Sequence, residues 1–189
     1  MKHLIAFCVA LLSMSLTNYA QAVTNDLVQK RILSAHVEDS IALTFDSGTS
    51  KVMAISENFS KEETDRSAIL AMNLAIGCIY AGDTITKSPD SFLLTFWVLS
   101  KKPRFGANHS LAIALKEEVL VIGSARYNAK PREQMEYLNF EISRSNLTRI
   151  AAESDVRFLL GDDKFTFTRR QMKLFADLLV VTEVAGGDE

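Results

Sequence analysis

The chain has 189 residues, and 21 Lys plus Arg against 23 Asp plus Glu give a formal charge of −2 at neutral pH. This near-neutral balance excludes a protein that is basic overall, as many binders of nucleic acid or membrane surfaces are. The length is typical of one domain with a sizeable core.

The first segment of the chain, residues 1–22, has the order of a secretory signal. Lys2 and His3 precede an apolar run, and the segment ends on Ala20, Gln21 and Ala22. The run is shorter than the roughly 20 apolar residues that cross a bilayer, so we expect cleavage and not anchoring. This predicts a bacterial periplasmic or secreted protein with a mature domain at 23–185 and a disordered tail at 186–189. Without Lys2 the mature chain has 20 basic residues and 23 acids, a formal charge of −3.

Cysteine use constrains the mature chain further. Cys8 lies in the leader, so Cys78 is the one cysteine left and no internal disulfide can form. The apolar neighbours of Cys78 predict a buried structural thiol and not a reactive one.

The first half of the mature chain predicts two strands followed by a helix. Residues 23–40 fit a short helix or an irregular strand about equally. Residues 41–45 and 51–56 alternate as strands around a turn at 46–48. Ser60 to Glu63 has the form of a capping box, which predicts one buried central helix continuing through the apolar run to residue 81.

The second half has a period of two, which is typical of β-strands. Strands are predicted at 92–99, 111–115, 119–126 and 135–142, and a hairpin at 156–167. Ser143 or Ser145 begins one short helix, and a capping box from Thr168 to Gln171 begins another. The fold class predicted is α+β: an antiparallel sheet of about six to eight strands, a meander plus a C-terminal hairpin, packed with one buried central helix and two C-terminal helices.

Sequence motifs for metal or cofactor chemistry are missing from the chain. It has no H-E-x-x-H, C-x-x-C, G-x-S-x-G, G-x-G-x-x-G or P-loop string. His36 and His109 have no further ligand at helical spacing, so neither indicates a zinc site. We expect no cofactor and no metal.

One string, from Leu43 to Ser50 with Asp46, Ser47 and Gly48 at its centre, resembles the active-site turn of aspartic peptidases. The resemblance implies that Asp46 is the catalytic acid/base and that Ser47 and Gly48 support it. That chemistry requires two carboxylates about 3 Å apart. A homodimer would supply the second, and residues 121–123 would be the later apolar-apolar-Gly strand of the retroviral-type members. The alternative is an ordinary turn, because Asp, Ser and Gly are the residues that turns prefer.

Basic residues cluster in two connections of the predicted meander, at 100–109 and 126–134. If consecutive strands pair, these connections lie at the same end of the sheet and form a local cationic rim with two rings able to stack on a ligand. The predicted ligand-binding residues are Lys101, Lys102, Arg104, Phe105, Arg126, Tyr127, Lys130 and Arg132. Charged loop tips that serve only solubility are the alternative.

Two function classes follow from these features. The first is an exported binding or interaction module for an anionic envelope molecule or an acidic protein surface, acting through the loops 100–109 and 126–134. The second is a homodimeric aspartic-peptidase-like hydrolase that uses Asp46, Ser47 and Gly48. The sequence predicts no nucleic-acid partner and no membrane span.

Overall fold

A computed structural model describes residues 22–37, 40–56 and 69–185. The helices of these residues are α1 (Asn25–Ser34), α2 (Arg144–Ala151) and α3 (Arg169–Val181), and a short 3-10 turn spans Pro131–Glu133. The strands are β1 (Val23–Thr24), β2 (Ile41–Asp46), β3 (Thr49–Ser56), β4 (Ile69–Ala81), β5 (Thr84–Ile85), β6 (Ser91–Ser100), β7 (Ser110–Ala114), β8 (Val119–Ser124), β9 (Arg126–Lys130), β10 (Met135–Ser143), β11 (Val156–Leu160) and β12 (Asp163–Phe167).

The strands form two main antiparallel sheets. The first sheet has six strands in the order β2-β3-β4-β6-β10-β9, and the second has four in the order β12-β11-β7-β8. The α+β class with antiparallel sheets and two C-terminal helices is therefore confirmed. The prediction of a single sheet was wrong, because the stretch 119–126 bends at Ala125 and passes from the second sheet into the first.

The predicted helix before residue 81 is strand β4 over Ile69–Ala81, paired with β3 on one side and β6 on the other. Its residues are apolar at helical and at alternating positions alike, so periodicity alone does not separate the two states. Strand β3 pairs with β4 over residues 74–81 and β6 pairs with it over residues 69–77, so the backbone groups of its centre have ladder partners on both sides. The proposed capping box from Ser60 to Glu63 lies outside the described residues.

The core lies between the first sheet and a second layer made of the four-stranded sheet and α3. Phe96 of β6 contacts Phe158 of β11 with ring centroids 5.4 Å apart, and Phe158 stacks on Phe167 at 4.4 Å. Phe167 meets Phe175 of α3 edge-on at 5.3 Å. This chain of rings joins both sheets and the last helix in one buried cluster.

Side-chain caps determine where the helices begin. Thr24 accepts from the amide of Leu27 at the start of α1, so the segment left open at 23–40 is a short strand followed by a helix. Ser143 caps α2, as predicted. Thr168 and Gln171 form the predicted capping box of α3.

Helix α1 is tied to the end of α3 by one side chain. The Arg31 guanidinium donates to the carbonyl oxygens of Val180, Val181 and Glu183. The carbonyls of Val180 and Val181 belong to the last turn of α3, and that of Glu183 follows the C-cap; backbone acceptors at this end lack helical partners and a cation is favoured. The first and last helices of the described chain are therefore in direct contact.

The predicted export signal lies outside the described residues apart from Ala22, and the predicted tail at 186–189 lies wholly outside them. Periplasmic or secreted localisation stays a prediction. No helix in the part of the chain that the structure describes has the length and hydropathy needed to cross a membrane.

Candidate functional site

The two basic segments predicted to be neighbours do meet, at the end of the first sheet where β6 finishes and β10 begins. Strands β6 and β10 are antiparallel partners, and the amide of Ser100 donates to the carbonyl of Gln134 at 2.9 Å. The loop after Ser100 therefore lies beside the turn at 131–134. The connection predicted at 126–134 is for the most part strand β9.

The buried carboxylate of Glu136 organises the loop after Ser100. Glu136 is 1% exposed and lies on the core face of β10. It accepts from the backbone amides of Arg104 and Phe105, from the Ser100 hydroxyl and from the Tyr127 hydroxyl, all at 2.9 Å. Four donors around one carboxylate match the acceptor-only, ionised form. The loop is thus held by charge-assisted bonds and not only by its own turns.

Tyr127 is part of the same cluster. Burial, followed by the hydrogen bond to Glu136 and the charge of that residue, raises the pKa of Tyr127 to about 12. Its ring stacks on His109 with centroids 5.5 Å apart. The hydroxyl of Tyr127 and one face of its ring are thus occupied by Glu136 and His109. We therefore interpret Tyr127 as a residue that holds the loop and not as a ligand contact.

Two of the predicted ligand contacts have internal partners. Both nitrogens of the Arg104 fork bind the carboxylate of Asp163, in a bidentate pair that leaves the guanidinium half-buried. Phe105 is 1% exposed and packs in the core, so it cannot offer its ring to a ligand, which corrects that prediction. Sequence reasoning assigned both residues to a solvated loop because it did not detect Glu136.

The basic residues that remain at this end form what we call the cationic end: Lys101, Lys102, Lys130 and Arg132. All four are exposed. Lys130 is 3.4 Å from Glu133, and the other three have no ion pair in the described part of the chain. Arg126 is not part of the cluster, because it begins β9 while Lys130 ends it, about 13 Å away along the strand.

The outer face of the first sheet, opposite the core, carries an apolar strip next to the cationic end. Trp97 pairs across the strands with Tyr137, and Leu99 pairs with Met135. All four are half-buried, and we call them the aromatic strip. Lys130 lies 5.7 Å above the ring centroid of Tyr137, so the cationic end and the aromatic strip are in contact.

A groove of about 210 Å³ lies further along the same outer face. Its walls include Ile79, Leu93, Arg126 and Glu141, and its floor includes Gly77. A Cβ at Gly77 would lie 2.3 Å from a carbonyl oxygen of β3, so the floor tolerates no side chain. Glu141 accepts from the Ser91 hydroxyl at 2.7 Å and faces the same groove as Arg126.

The Asp46-Ser47-Gly48 string forms the tip of the β2–β3 hairpin. Ser47 and Gly48 both have positive φ, 51° and 76°, the geometry of a two-residue hairpin turn. All three residues are exposed, and Ser47 donates to the Asp46 carboxylate at 3.0 Å. The apolar-apolar-Gly stretch 121–123 lies in the second sheet, whereas Asp46 lies in the first. The string therefore forms a hairpin turn, and a catalytic role for Asp46, which requires a second carboxylate from a partner copy, stays a prediction.

Cys78 is buried, as predicted. Burial raises the pKa of its thiol to about 12, and the field of Arg144 offsets only part of that effect. Across the described ranges, no group of three or more His, Cys, Asp or Glu side chains could hold a metal ion.

Compared with known proteins, the chain matches no family model, no curated protein and no solved structure.

Glu136 is the residue of this site that sequence reasoning missed. The sequence holds a signal for it, because Leu138, Phe140 and Ile142 alternate with polar residues along the strand and Glu136 has the same parity as these apolar residues. An acid at a core position implies donors that reach it.

Proposed function

We propose that this protein is an exported binding module that recognises an anionic partner at the cationic end. The observation that carries the proposal is the contact between Ser100 and Gln134, which brings Lys101, Lys102 and Arg132 together at one end of the sheet. The mature chain is expected to be acidic overall, so this is a local concentration of positive charge and not a general property of the surface.

The loop that carries Lys101 and Lys102 is anchored to the rest of the protein by internal contacts. Glu136 binds two of its amides, and the Arg104–Asp163 pair fastens its centre to β12. A fixed loop loses little conformational entropy on binding, which favours a recognition role over a merely solvated one. Ordinary solubilising lysines need no such support.

The neighbouring aromatic strip indicates that the partner has apolar groups as well as negative charge. Trp97 and Tyr137 present amphipathic rings at half-burial, and such residues are typical of binding surfaces. A phosphate-bearing or carboxylate-rich envelope molecule with an apolar portion has this chemistry.

The hydrolase alternative has no observation in its favour. Asp46 is at an exposed hairpin tip and does not line the groove described above, next to Arg126 and Glu141. A catalytic carboxylate is expected in a concave site that excludes water.

Trp97, the one tryptophan in the chain, gives a direct assay. Its emission is titrated at low ionic strength with phosphatidylglycerol vesicles, which present phosphates, and with polyglutamate, which presents carboxylates. Phosphatidylcholine vesicles are the neutral reference. We expect one anionic probe to bind, with an affinity that falls as salt is added.

A charge-reversal pair of variants tests whether the cationic end is responsible. The test variant is Lys101→Glu, Lys102→Glu and Arg132→Glu, and the control Lys30→Glu, Lys164→Glu and Arg169→Glu changes the net charge equally elsewhere. We expect the test variant to bind at least about tenfold more weakly than the control. Equal weakening in both variants, or no binding of either anionic probe, contradicts the proposal.

A further inference from the structure

The edge strand of the second sheet, β8, carries the two most exposed large hydrophobic side chains of the described residues. Val121 is 79% exposed and Val119 is 61% exposed, on the side of the sheet away from the core. Leu159 on the same side is 38% exposed. Contiguous exposed apolar surface of this kind marks an interaction site or an aggregation hazard.

The backbone groups of the same two valines have no ladder partner on their outer side among the residues that the structure describes. The amide of Leu115 donates to the carbonyl of Glu118, which makes 115 and 118 a hydrogen-bonded pair. Because hydrogen-bonded and non-bonded pairs alternate in an antiparallel ladder, the pairs Ala114–Val119 and Ala112–Val121 are non-bonded. The N–H and C=O groups of Val119 and Val121 therefore point away from β7, along the free edge.

Over Val119–Val121 this edge carries no charge and no proline, and the β-bulge that shifts its register with β7 lies beyond Val121, between the pairs Ala112–Val121 and Leu111–Gly123. Natural edges are protected by charged residues, by proline or by covering elements. Strand β9 carries Arg126 and Lys130, and β12 carries Asp163 and Lys164. By contrast, β8 reads Val-Leu-Val-Ile-Gly-Ser, with no charge and no proline.

We infer that β8 is a homodimer interface, in which the strand pairs antiparallel with β8 of a second copy. A two-fold axis at Leu120 places Val119 of one copy opposite Val121 of the other, so all the outward backbone groups of both valines gain partners. The apolar side chains of the two copies then lie side by side, with no like charges opposed. The result is one continuous eight-stranded sheet. This inference does not rest on the proposed function.

Sedimentation equilibrium of the purified protein over a range of concentrations tests the dimer. The test variant Val119→Lys/Val121→Lys puts charges on the edge, and the control Ala114→Lys/Leu159→Lys puts the same charges on the same side of the sheet but on interior strands. We expect a dimer mass for the unmodified protein and the control, and a dissociation constant at least about tenfold higher for the test variant. A monomer at every concentration overturns the inference, and so does equal weakening in both variants.

Cysteine substitution tests the register, even if the lysine variants fold poorly. In the proposed pairing, residue 119 of one copy is about 5.5 Å (Cα–Cα) from residue 121 of the other, within disulfide reach. The distance from 119 to 119, or from 121 to 121, is about 8 Å and beyond it. A mixture of Val119→Cys and Val121→Cys is therefore expected to cross-link under mild oxidation, while each variant alone does not. Equal cross-linking of the single variants overturns this register.

Discussion

Replacement of Glu136 by Gln is the sharpest test of how the cationic end is built. The carboxylate receives four donors, and each hydrogen bond to an ionised acceptor contributes roughly 1.5–3 kcal/mol. Gln keeps one acceptor oxygen and replaces the other with an NH₂ group that faces donors. We expect a loss of about 2 kcal/mol for Glu136→Gln and about 4 kcal/mol for Glu136→Leu, which leaves the buried donors without an acceptor.

The assay is urea denaturation followed by circular dichroism, with Glu141→Gln as the control. Glu141 lies in the same strand but is exposed and accepts one hydrogen bond, so we expect its variant to change stability by under about 0.5 kcal/mol. Trypsin should also cleave after Lys101 faster in Glu136→Gln, because the loop loses its anchor. Equal denaturation midpoints for the two Gln variants would refute the role given to Glu136.

Three further predictions concern Gly77, Cys78 and Tyr127. Gly77→Ala should destabilise the protein by about 2 kcal/mol in the same denaturation assay, because its Cβ would lie 2.3 Å from a carbonyl oxygen of β3. The control Gly106→Ala, whose Cβ would lie 3.6 Å from its nearest neighbour, should lower stability by under about 0.5 kcal/mol. Equal losses of stability in the two variants would contradict this. Burial raises the pKa of the Cys78 thiol from 9.0 to about 12, so at pH 8 it should react with a thiol reagent at least about 1,000-fold more slowly in the native than in the unfolded protein. The contribution of this thiol to stability should be lost as the pH rises from about 9 through 12. Similar reaction rates for the native and the unfolded protein would refute this. In Glu136→Gln, the pKa of Tyr127 should fall from about 12 toward 10, and burial should keep it above 10. Ultraviolet titration measures this pKa, with Tyr127→Phe as the reference that identifies the signal of Tyr127. An unchanged pKa would exclude the hydrogen bond as a cause of the shift.

Local chemistry in the sequence predicted most of the element ends. The turn at Ser47 and Gly48, the cap at Ser143 and the box from Thr168 to Gln171 each depend on residues within three positions of one another. Such signals are readable because the groups that satisfy each other are neighbours in the chain.

The failures all involve partners that are distant in sequence. Strand β4 is a strand because β3 and β6 flank it, and its own pattern is compatible with either state. Arg104 is removed from the predicted rim by Asp163, which follows it by 59 residues. Phe105 is buried, and its amide donates to Glu136, which follows it by 31 residues. In each case, the sequence around the wrongly predicted residue contains no signal for its distant partner.

The contact of Arg31 with the end of α3 has a consequence for when the protein can fold. The two groups are about 150 residues apart, so α1 reaches its final position only after nearly the whole chain has been synthesised. Contacts of such long range close slowly, because the loop entropy is lost before they form. We therefore expect the docking of α1 on the end of α3 to be one of the last steps of folding during synthesis.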